Sequence, residues 1–389
     1  MRISRVRATP VNIPFVAPYR FAYGSIASVT KTLVEVETDD GAVGWGEAPD
    51  GDRSAAIMAL APRLIGLDPL DLDAIERACV PGYAYSPWAD VLGARRSHAA
   101  IEMALWDLRG RVEGRPLHAL LGGAVRTEIP LTEYFSYRLP GPDHPGEASP
   151  LEVARECARL VEEFDARILE GKVGTVGEDE ELEMVREIRA AIGDRPLRLD
   201  ANGGWTTATA RRLMPRFEEH GIDAWEEPVE GLEELAAIRD VTERPLSAHV
   251  PDLPLARALG VPDAIVTNLG EQGGIRRTVE FVRACAAAGI AFRFHSGETG
   301  VASTAYLHVT AALPEIDDAS QTLFRWYADD VIVGGPHVPR HGVVAVPDGP
   351  GLGVEVDRDA VERCHRRYLA EGPFPGADGA AYGAEFRRR

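Results

Sequence analysis

Cysteine is scarce and scattered in this chain. Cys79, Cys157, Cys285 and Cys364 are the 4 cysteines among 389 residues, and no two are spaced C-x-x-C. That excludes a disulfide framework and a zinc knuckle as organising devices, and leaves buried or incidental thiols as the expected role. There is no run of ~20 apolar residues of the kind that spans a membrane. The opening Met1-Arg2-Ile3-Ser4-Arg5 leads into no long apolar core, so no signal peptide is read and a cytosolic location is expected. Basic residues are outnumbered 42 to 61, which gives a net charge of −19. Such a chain is unsuited to nucleic acid or anionic membrane, although a local lysine or metal can still attract an anionic substrate. No Gly-x-Gly-x-x-Gly follows a predicted strand, so a dinucleotide-binding reading lacks its motif.

What is present is ordinary in composition, 45% apolar and 26% charged, but 389 residues are too many for one average domain. Length favours two domains, or one barrel with an extra layer. Residues 32–38 alternate apolar and polar, Asp40-Gly41 supplies a turn, and residues 42–47 form the returning strand of a half-solvated hairpin. Ala100, Met103, Ala104 and Leu108 recur at helical spacing over residues 97–111, and Gly114 and Pro116 end that helix. These elements belong to a unit running to about residue 128. Beyond Leu131 strand and helix alternate. Strands are predicted at 165–173, 197–201, 224–227, 246–249, 264–268 and 291–295, and helices at 178–192, 206–219, 233–239, 275–288 and 301–312. That alternation predicts a parallel sheet covered by helices, and seven or eight such units favour a closed barrel. Residues 139–150, rich in proline and glycine, read as a surface loop. The tail beyond the turn-rich stretch 346–353 is expected to cross back to the N-terminal unit.

Polar residues stand at the ends of successive apolar segments in the repeated part: Lys172, Asp200, Glu226, His249, Asn268, His295 and Gln321, 19 to 28 positions apart. A parallel β/α barrel gathers its strand ends on one face, so these residues would converge on one pocket. Asp200 and Glu226, one repeat apart, are suited to sharing a hard divalent cation. The alternative for such residues is a solvated strand-end acid, a helix N-cap, or for Lys172 a surface lysine.

Longer motifs extend this reading. Residues 97–110 read Ser-His-Ala-Ala-Ile-Glu-Met-Ala-Leu-Trp-Asp-Leu-Arg-Gly. Lys172-Val173-Gly174, Asp200-Ala-Asn-Gly-Gly-Trp205, Trp225-Glu-Glu-Pro228 and Gly273-Gly274-Ile275 follow in order. Together they resemble the enolase superfamily, and more narrowly the mandelate racemase group. Glu133-Tyr-Phe-Ser-Tyr137-Arg138, His295-Ser296-Gly297 and Val331-Ile-Val-Gly-Gly335 are similar to its glucarate dehydratase-like branch of acid-sugar dehydratases. The resemblance covers nearly the whole chain. It implies an α/β fold: a modified (β/α)7β TIM-type barrel at residues 129–349, and an N-terminal α+β capping domain at residues 1–128 completed by the tail from about 350 to 389. It also implies a metal-dependent enzyme that abstracts the proton beside a substrate carboxylate, giving an enediolate that in a dehydratase expels a neighbouring hydroxyl. Carried over, Asp200 and Glu226 match metal ligands and Glu227 the position behind them. Lys172 matches the usual base, and His295 the opposite-face base or general acid. Asn202, Tyr137, Glu170 and Gln321 fall at substrate-binding or supporting positions.

The chain departs from that pattern in places. Glu170 replaces the first lysine of Lys-x-Lys. His249 stands where the third metal ligand is usually a carboxylate or, in the branch, an asparagine. Imidazole suits Mn, Fe, Ni or Zn better than Mg, so Mg²⁺ is expected with Mn²⁺ or another transition metal admitted, and Asp252 is the fallback ligand. Asn268 replaces the Asp that orients the histidine, which should lower the pKa of His295. Gln321 replaces an acidic residue. The expected function is dehydration of a sugar acid or related hydroxy-acid. The alternatives are a racemase, epimerase or cycloisomerase on another carboxylate, and a non-catalytic metal- and ligand-binding barrel. The expected partner is a small carboxylate in a homo-oligomer. Specificity is expected from segments 18–28 and 84–92, whose neighbourhood carries Tyr19, Phe21, Tyr23, Tyr83, Tyr85 and Trp88; these aromatics serve equally well as packing residues.

Overall fold

A computed structural model of the chain describes residues 1–48, 51–82, 90–295, 297–374 and 388–389. The chain opens with an antiparallel sheet of β1 (Ile3–Phe21), β2 (Gly24–Thr38) and β3 (Val43–Ala48). One face of it packs Val34 and Val36 against Ile57 and Leu64 of α1 (Ser54–Leu64), Ile75 of α2 (Leu72–Cys79) and Ala100, Ala104 and Leu108 of α3 (Val91–Glu113). Helix α3 lies so close to β3 that a Cβ on Gly44 or Gly46 would meet the Ala104 or Ala100 carbonyl oxygen at 2.0 or 2.1 Å, so glycine is required there. The helix is longer at both ends than its apolar spacing predicts. The Asp90 carboxylate caps its start, and Gly114 at φ 65° ends it.

After α4 (Leu117–Leu120) and β4 (Glu128–Pro130) the barrel begins. Its strand–helix units are β5 (Glu133–Phe135) with α5 (Pro150–Phe164), β6 (Leu169–Lys172) with α6 (Glu178–Ile192), and β7 (Leu197–Asp200) with α7 (Thr207–Glu218). They continue with β8 (Ala224–Glu226) and α8 (Gly231–Ala237), then β9 (Leu246–Ala248) and α9 (Leu253–Leu259). Last come β10 (Ala264–Thr267) with α10 (Leu269–Gln272) and α11 (Ile275–Ala287), and β11 (Ala291–Phe294) with α12 (Gly300–Ala312). Strands β5 to β11 form one parallel sheet in sequence order. Ser320–Gln321 closes it: Gln321 N donates to Phe294 O at 3.1 Å, and Thr132 N to Ser320 O at 2.9 Å. The result is the modified barrel with an N-terminal capping domain that the motifs imply. Leu169, Leu197, Leu199 and Ile265 from the strands pack with Val185, Ile188, Leu213 and Phe217 from the helices in one continuous core.

The predicted strand at 165–173 starts only at Leu169. The Pro/Gly-rich stretch before it runs into α5, whose start the sequence pattern did not separate: Ser149 caps it, Pro150 is its first residue, and Asp165 at φ 51° stops it. Beyond the barrel, β12 (Val343–Ala345) pairs antiparallel with β4, and α13 (Arg358–Glu371) packs on β1. Residues 388–389 instead lie on the barrel, where Arg389 N donates to Gly204 O.

Two buried carboxylates bring capping elements onto barrel helices. Glu47 of β3 accepts from Thr299 N (2.9 Å), Thr299 Oγ1 (2.7 Å) and Ala302 N (2.8 Å) at the start of α12. Glu102 of α3 accepts from Ile275 N (2.5 Å) and Arg276 Nε (3.2 Å) at the start of α11. A carboxylate at a helix N-terminus meets free N–H groups and the positive end of the helix dipole, so these contacts fix the two units where charge and geometry agree.

Candidate active site

Lys172, Asp200 and Glu226 are the last residues of β6, β7 and β8, and Lys172 pairs in register with Asp200, and Asp200 with Glu226. All three are buried. His249, Asn268 and His295 follow directly on β9, β10 and β11, and Gln321 lies on the closing segment. The ladder therefore converges on one end of the barrel.

The Lys172 ammonium contacts Asp200 Oδ2, and lies 5.2 Å from the Tyr134 ring centroid. Burial works against its charge, but Asp200 and Glu226 outweigh that, so its pKa is raised. Asn202 brackets the same carboxylate, with its backbone N 2.7 Å from Oδ1 and its Nδ2 3.0 Å from Oδ2. Asn202 (φ 48°) and Glu227 (φ 37°) both lie in the left-handed region, a conformation rare for side-chain-bearing residues and frequent beside functional groups. Glu227 Oε1 accepts from His249 N at 3.1 Å, and its carbonyl from Gly203 N at 2.7 Å.

His249 Nδ1 lies 2.9 Å from Val266 O, and Nε2 lies 3.4 Å from Glu226 Oε1 and 3.7 Å from Glu227 Oε2. Burial disfavours its cation, yet Glu227, Glu226 and Asp200 together push its pKa up to about 10. Its ring meets that of His295 edge-on at 5.0 Å between centroids. His295 falls well below the ordinary histidine value, through burial and then the neighbouring His249. A fall was expected from Asn268, but that residue's oxygen accepts from Glu271 N at 2.9 Å and caps α10. Asp252 likewise caps α9, accepting from Leu255 N at 3.0 Å.

Gln321 Nε2 lies 2.7 Å from Glu170 Oε1, and 2.8 and 2.7 Å from the two Glu226 oxygens. Glu226 keeps its charge, with its pKa well below the usual range: burial opposes this, but His249 and Arg293 prevail. Glu170 is pushed up by burial and by Glu226. Arg198 Nη1 stands 3.9 Å from Glu170, Arg293 Nη2 4.0 Å from Glu226, and both arginines reach Asp318. Sequence reasoning missed these two arginines. The signal was there: each lies two residues before a site residue, Asp200 or His295, and strand alternation puts both on the same face.

Tyr137 is not part of this group. It is buried in the outer apolar core with Val153 and Leu182, and burial, then Glu180 and Glu181, raise the pKa of its hydroxyl. Tyr19 packs against Trp326 at 4.8 Å and Phe21 at 5.8 Å, and Phe21 against Tyr23 at 4.6 Å. The pKa values of Tyr19 and Tyr23 are raised mainly by burial, with Lys172 and Asp200 both felt. The capping segment lies against the loops after β6 and β7: a Cβ on Gly174 or Gly204 would stand 3.5 or 2.6 Å from the Ala22 Cβ. Tyr83, Tyr85, Trp88 and Ser296 lie outside the described residues.

Among the described residues, no three His, Cys, Asp or Glu side chains stand as placed within holding distance of one ion. Asp200 is drawn onto Lys172 and Asn202, and Glu226 onto Gln321. The donor chemistry nevertheless suits a cation. Two buried carboxylates end adjacent strands in register, an imidazole nitrogen lies 3.4 Å from one of them, and the imidazole's other nitrogen rests on a backbone carbonyl, the usual support of a metal-ligating histidine.

Residues 3–122 match the mandelate racemase / muconate lactonizing enzyme N-terminal domain, and residues 152–360 match the enolase C-terminal domain-like family. The chain therefore belongs to the enolase superfamily of enzymes, within its mandelate racemase / muconate lactonizing enzyme family. It is 29% identical to a probable glucarate dehydratase of Streptomyces coelicolor, over 90% of this chain and 88% of that one. It is also 29% identical to muconate cycloisomerase 1 of Rhodococcus opacus, over 93% of this chain and 98% of that one. An enolase from Thermobispora bispora, solved with magnesium and formate, superposes with a TM-score of 0.89 at 31% identity, covering 100% of this chain and 99% of that one. Another from Pseudomonas fluorescens, solved with magnesium, potassium and tartrate, has a TM-score of 0.86 at 28% identity, over 95% and 93%. No helix among the described residues is long and apolar enough to cross a membrane.

Proposed function

We propose that this protein removes the proton beside the carboxylate of a hydroxy-acid, most simply a sugar acid, and eliminates water from it. The observation that carries the reading is the Lys172–Asp200–Glu226 row: a buried amine and two buried carboxylates in register on adjacent strand ends. Asp200, Glu226 and His249 would hold a divalent cation, Mg²⁺ or a transition metal. When bound, that ion neutralises charge developing on the substrate carboxylate. The magnesium, formate and tartrate in the similar solved structures support a metal and a small carboxylate here.

The protein's own residues divide the remaining work. Lys172 would take the proton as its free amine; the Asp200 contact that now holds it as ammonium would have to weaken, as a cation on that carboxylate would make it, so that the ammonium first gives up a proton to solvent. Asn202 fixes the orientation of Asp200, Glu227 holds the His249 backbone, and Gln321 holds Glu226. His295 directly follows β11 on the same end of the barrel, and would be the group to give a proton to a leaving hydroxyl. The second reading, a cycloisomerase, is supported by the muconate cycloisomerase likeness over most of both chains.

The deciding experiment incubates the enzyme with a library of acid sugars and other hydroxy-acids in D₂O with Mg²⁺ or Mn²⁺. Loss of water with the deuterium label, abolished in Lys172→Ala, is the expected result. Label incorporation or ring closure without loss of water would move the assignment to the isomerases. No exchange on any acid would leave a binding protein.

A further inference from the structure

Two residues remote in sequence hold three of the loops that carry the candidate site. The Arg388 guanidinium donates to Trp205 O (Nε, 3.1 Å) and, through Nη1, to Glu234 Oε1 at 2.9 Å, and stands 3.6 Å from Glu230. Arg389 N donates to Gly204 O at 2.9 Å, Thr206 N donates to Arg389 O at 2.6 Å, and the Arg389 guanidinium reaches Val176 O. Val176 follows Lys172, Gly204–Thr206 follow Asp200, and Glu230 and Glu234 follow Glu226. One dipeptide therefore touches the loops leaving β6, β7 and β8.

The middle loop needs such support. It runs Asp200-Ala-Asn-Gly-Gly-Trp, with Asn202 and Gly203 (φ 66°) in the left-handed region, and adjacent glycines restrain a chain poorly. Asn202 in turn sets both oxygens of Asp200. On its other side the loop touches the capping segment, since a Cβ on Gly204 would come 2.6 Å from the Ala22 Cβ. An exposed arginine–carboxylate pair alone contributes little. Here a two-bond backbone bridge to Gly204 and Thr206 and a guanidinium shared between the Trp205 carbonyl and a carboxylate act on three consecutive residues of that loop. We propose that Arg388 and Arg389 form a positioning clamp that fixes the Asp200–Thr206 loop, and with it the carboxylate read above as a metal ligand. The inference rests on that reading for its consequence but not for its geometry.

The test compares the full chain with a variant lacking residues 388 and 389, and with Glu234→Ala, which removes the clamp's anchor away from the site. Hydrogen exchange by mass spectrometry should show peptides spanning 201–206 exchanging about ten-fold faster in the deletion variant, while α1 is unchanged. Mn²⁺ affinity read by electron paramagnetic resonance should fall several-fold, and Glu234→Ala should move both in the same direction by less. Unchanged exchange at 201–206, or an equal rise in α1, overturns the clamp. Faster exchange with unaltered Mn²⁺ affinity overturns its positioning role. A full chain that binds no Mn²⁺ counts against the metal reading instead, and exchange alone then decides the clamp.

Discussion

The side-chain nitrogen of Gln321 lies 2.8 and 2.7 Å from the two carboxylate oxygens of Glu226. One amide thus holds a buried anion on the strand across the barrel mouth, and its other hydrogen goes to Glu170, 2.7 Å away. A glutamate at 321, the acidic type that the resemblance would put there, would confront Glu226 and Glu170 with a third carboxylate in the same buried space. Replacing Gln321 by Leu should remove a hydrogen bond to a charged group, costing about 1.5–3 kcal/mol of stability. Chemical denaturation would measure it, and a midpoint equal to wild type would show that Arg293 alone supports Glu226. Glutamate at 321 should destabilise more than leucine at pH 8 and approach it near pH 4.

His249 should decide metal preference. Its Nδ1 rests on Val266 O, and its Nε2 lies 3.4 Å from Glu226 and 3.7 Å from Glu227. Wild type should favour Mn²⁺ or Co²⁺ over Mg²⁺ more strongly than His249→Asn does, by about ten-fold in relative affinity for one nitrogen-for-oxygen exchange in the donor set. Pulsed paramagnetic resonance of the Mn²⁺ form should show coupling to nitrogen that the variant lacks. Identical metal content and affinity in the two proteins would remove His249 from the ligand set.

Glu47 should hold the capping sheet on the barrel. It accepts three hydrogen bonds at the start of α12 and is 1% exposed, so Glu47→Ala leaves buried N–H groups of Thr299 and Ala302 unpaired. A loss of about 2–4 kcal/mol is expected, from more than one buried group left unsatisfied. Calorimetry would report it, and a loss below that of an ordinary surface substitution would mean that water replaces the carboxylate.

Asp330 should make stability depend on pH. Its oxygens accept from Gly300 N (2.9 and 3.0 Å) and Val331 N (2.5 Å), and burial pushes its pKa up to about 6 against those bonds. A carboxyl whose folded pKa is raised binds its proton more tightly in the native state, so its contribution is greatest below pH 4 and is lost as pH rises through 6. Asp330→Asn keeps the accepting oxygen and removes the titration. Its melting temperature should therefore gain on wild type from pH 4 to 7, and parallel profiles would refute the assignment.

Much of this was legible along the chain. Lys172, Asp200 and Glu226 could be placed at strand ends because each closes a short apolar run before a turn, and a parallel barrel has one face on which such ends can meet. Helix α6 falls on the predicted residues because its apolar stripe and acidic first turn agree. Less legible was which polar residue serves a local need. Asn268 caps α10 and Asp252 caps α9, where the residue type fits either a cap or a site. Tyr137 reads as a site residue by motif, yet its ring faces the outer core.

By itself, then, the sequence determined the order of the strand–helix units, the strand-end position of the acids and the lysine, and the family. Those features depend on local periodicity and on motifs a few residues long. Only the tertiary structure decided that Gln321 bridges Glu170 and Glu226, that Arg198 and Arg293 lie inside the barrel, that Glu47 docks on α12, and that Arg388 and Arg389 hold the loop after Asp200. Each of these contacts joins residues far apart in sequence, the first two inside a closed sheet and the others where outlying segments dock on the barrel. Barrel closure, strand stagger and the docking of outlying segments set which of them meet, and none is written in the spacing of any one segment.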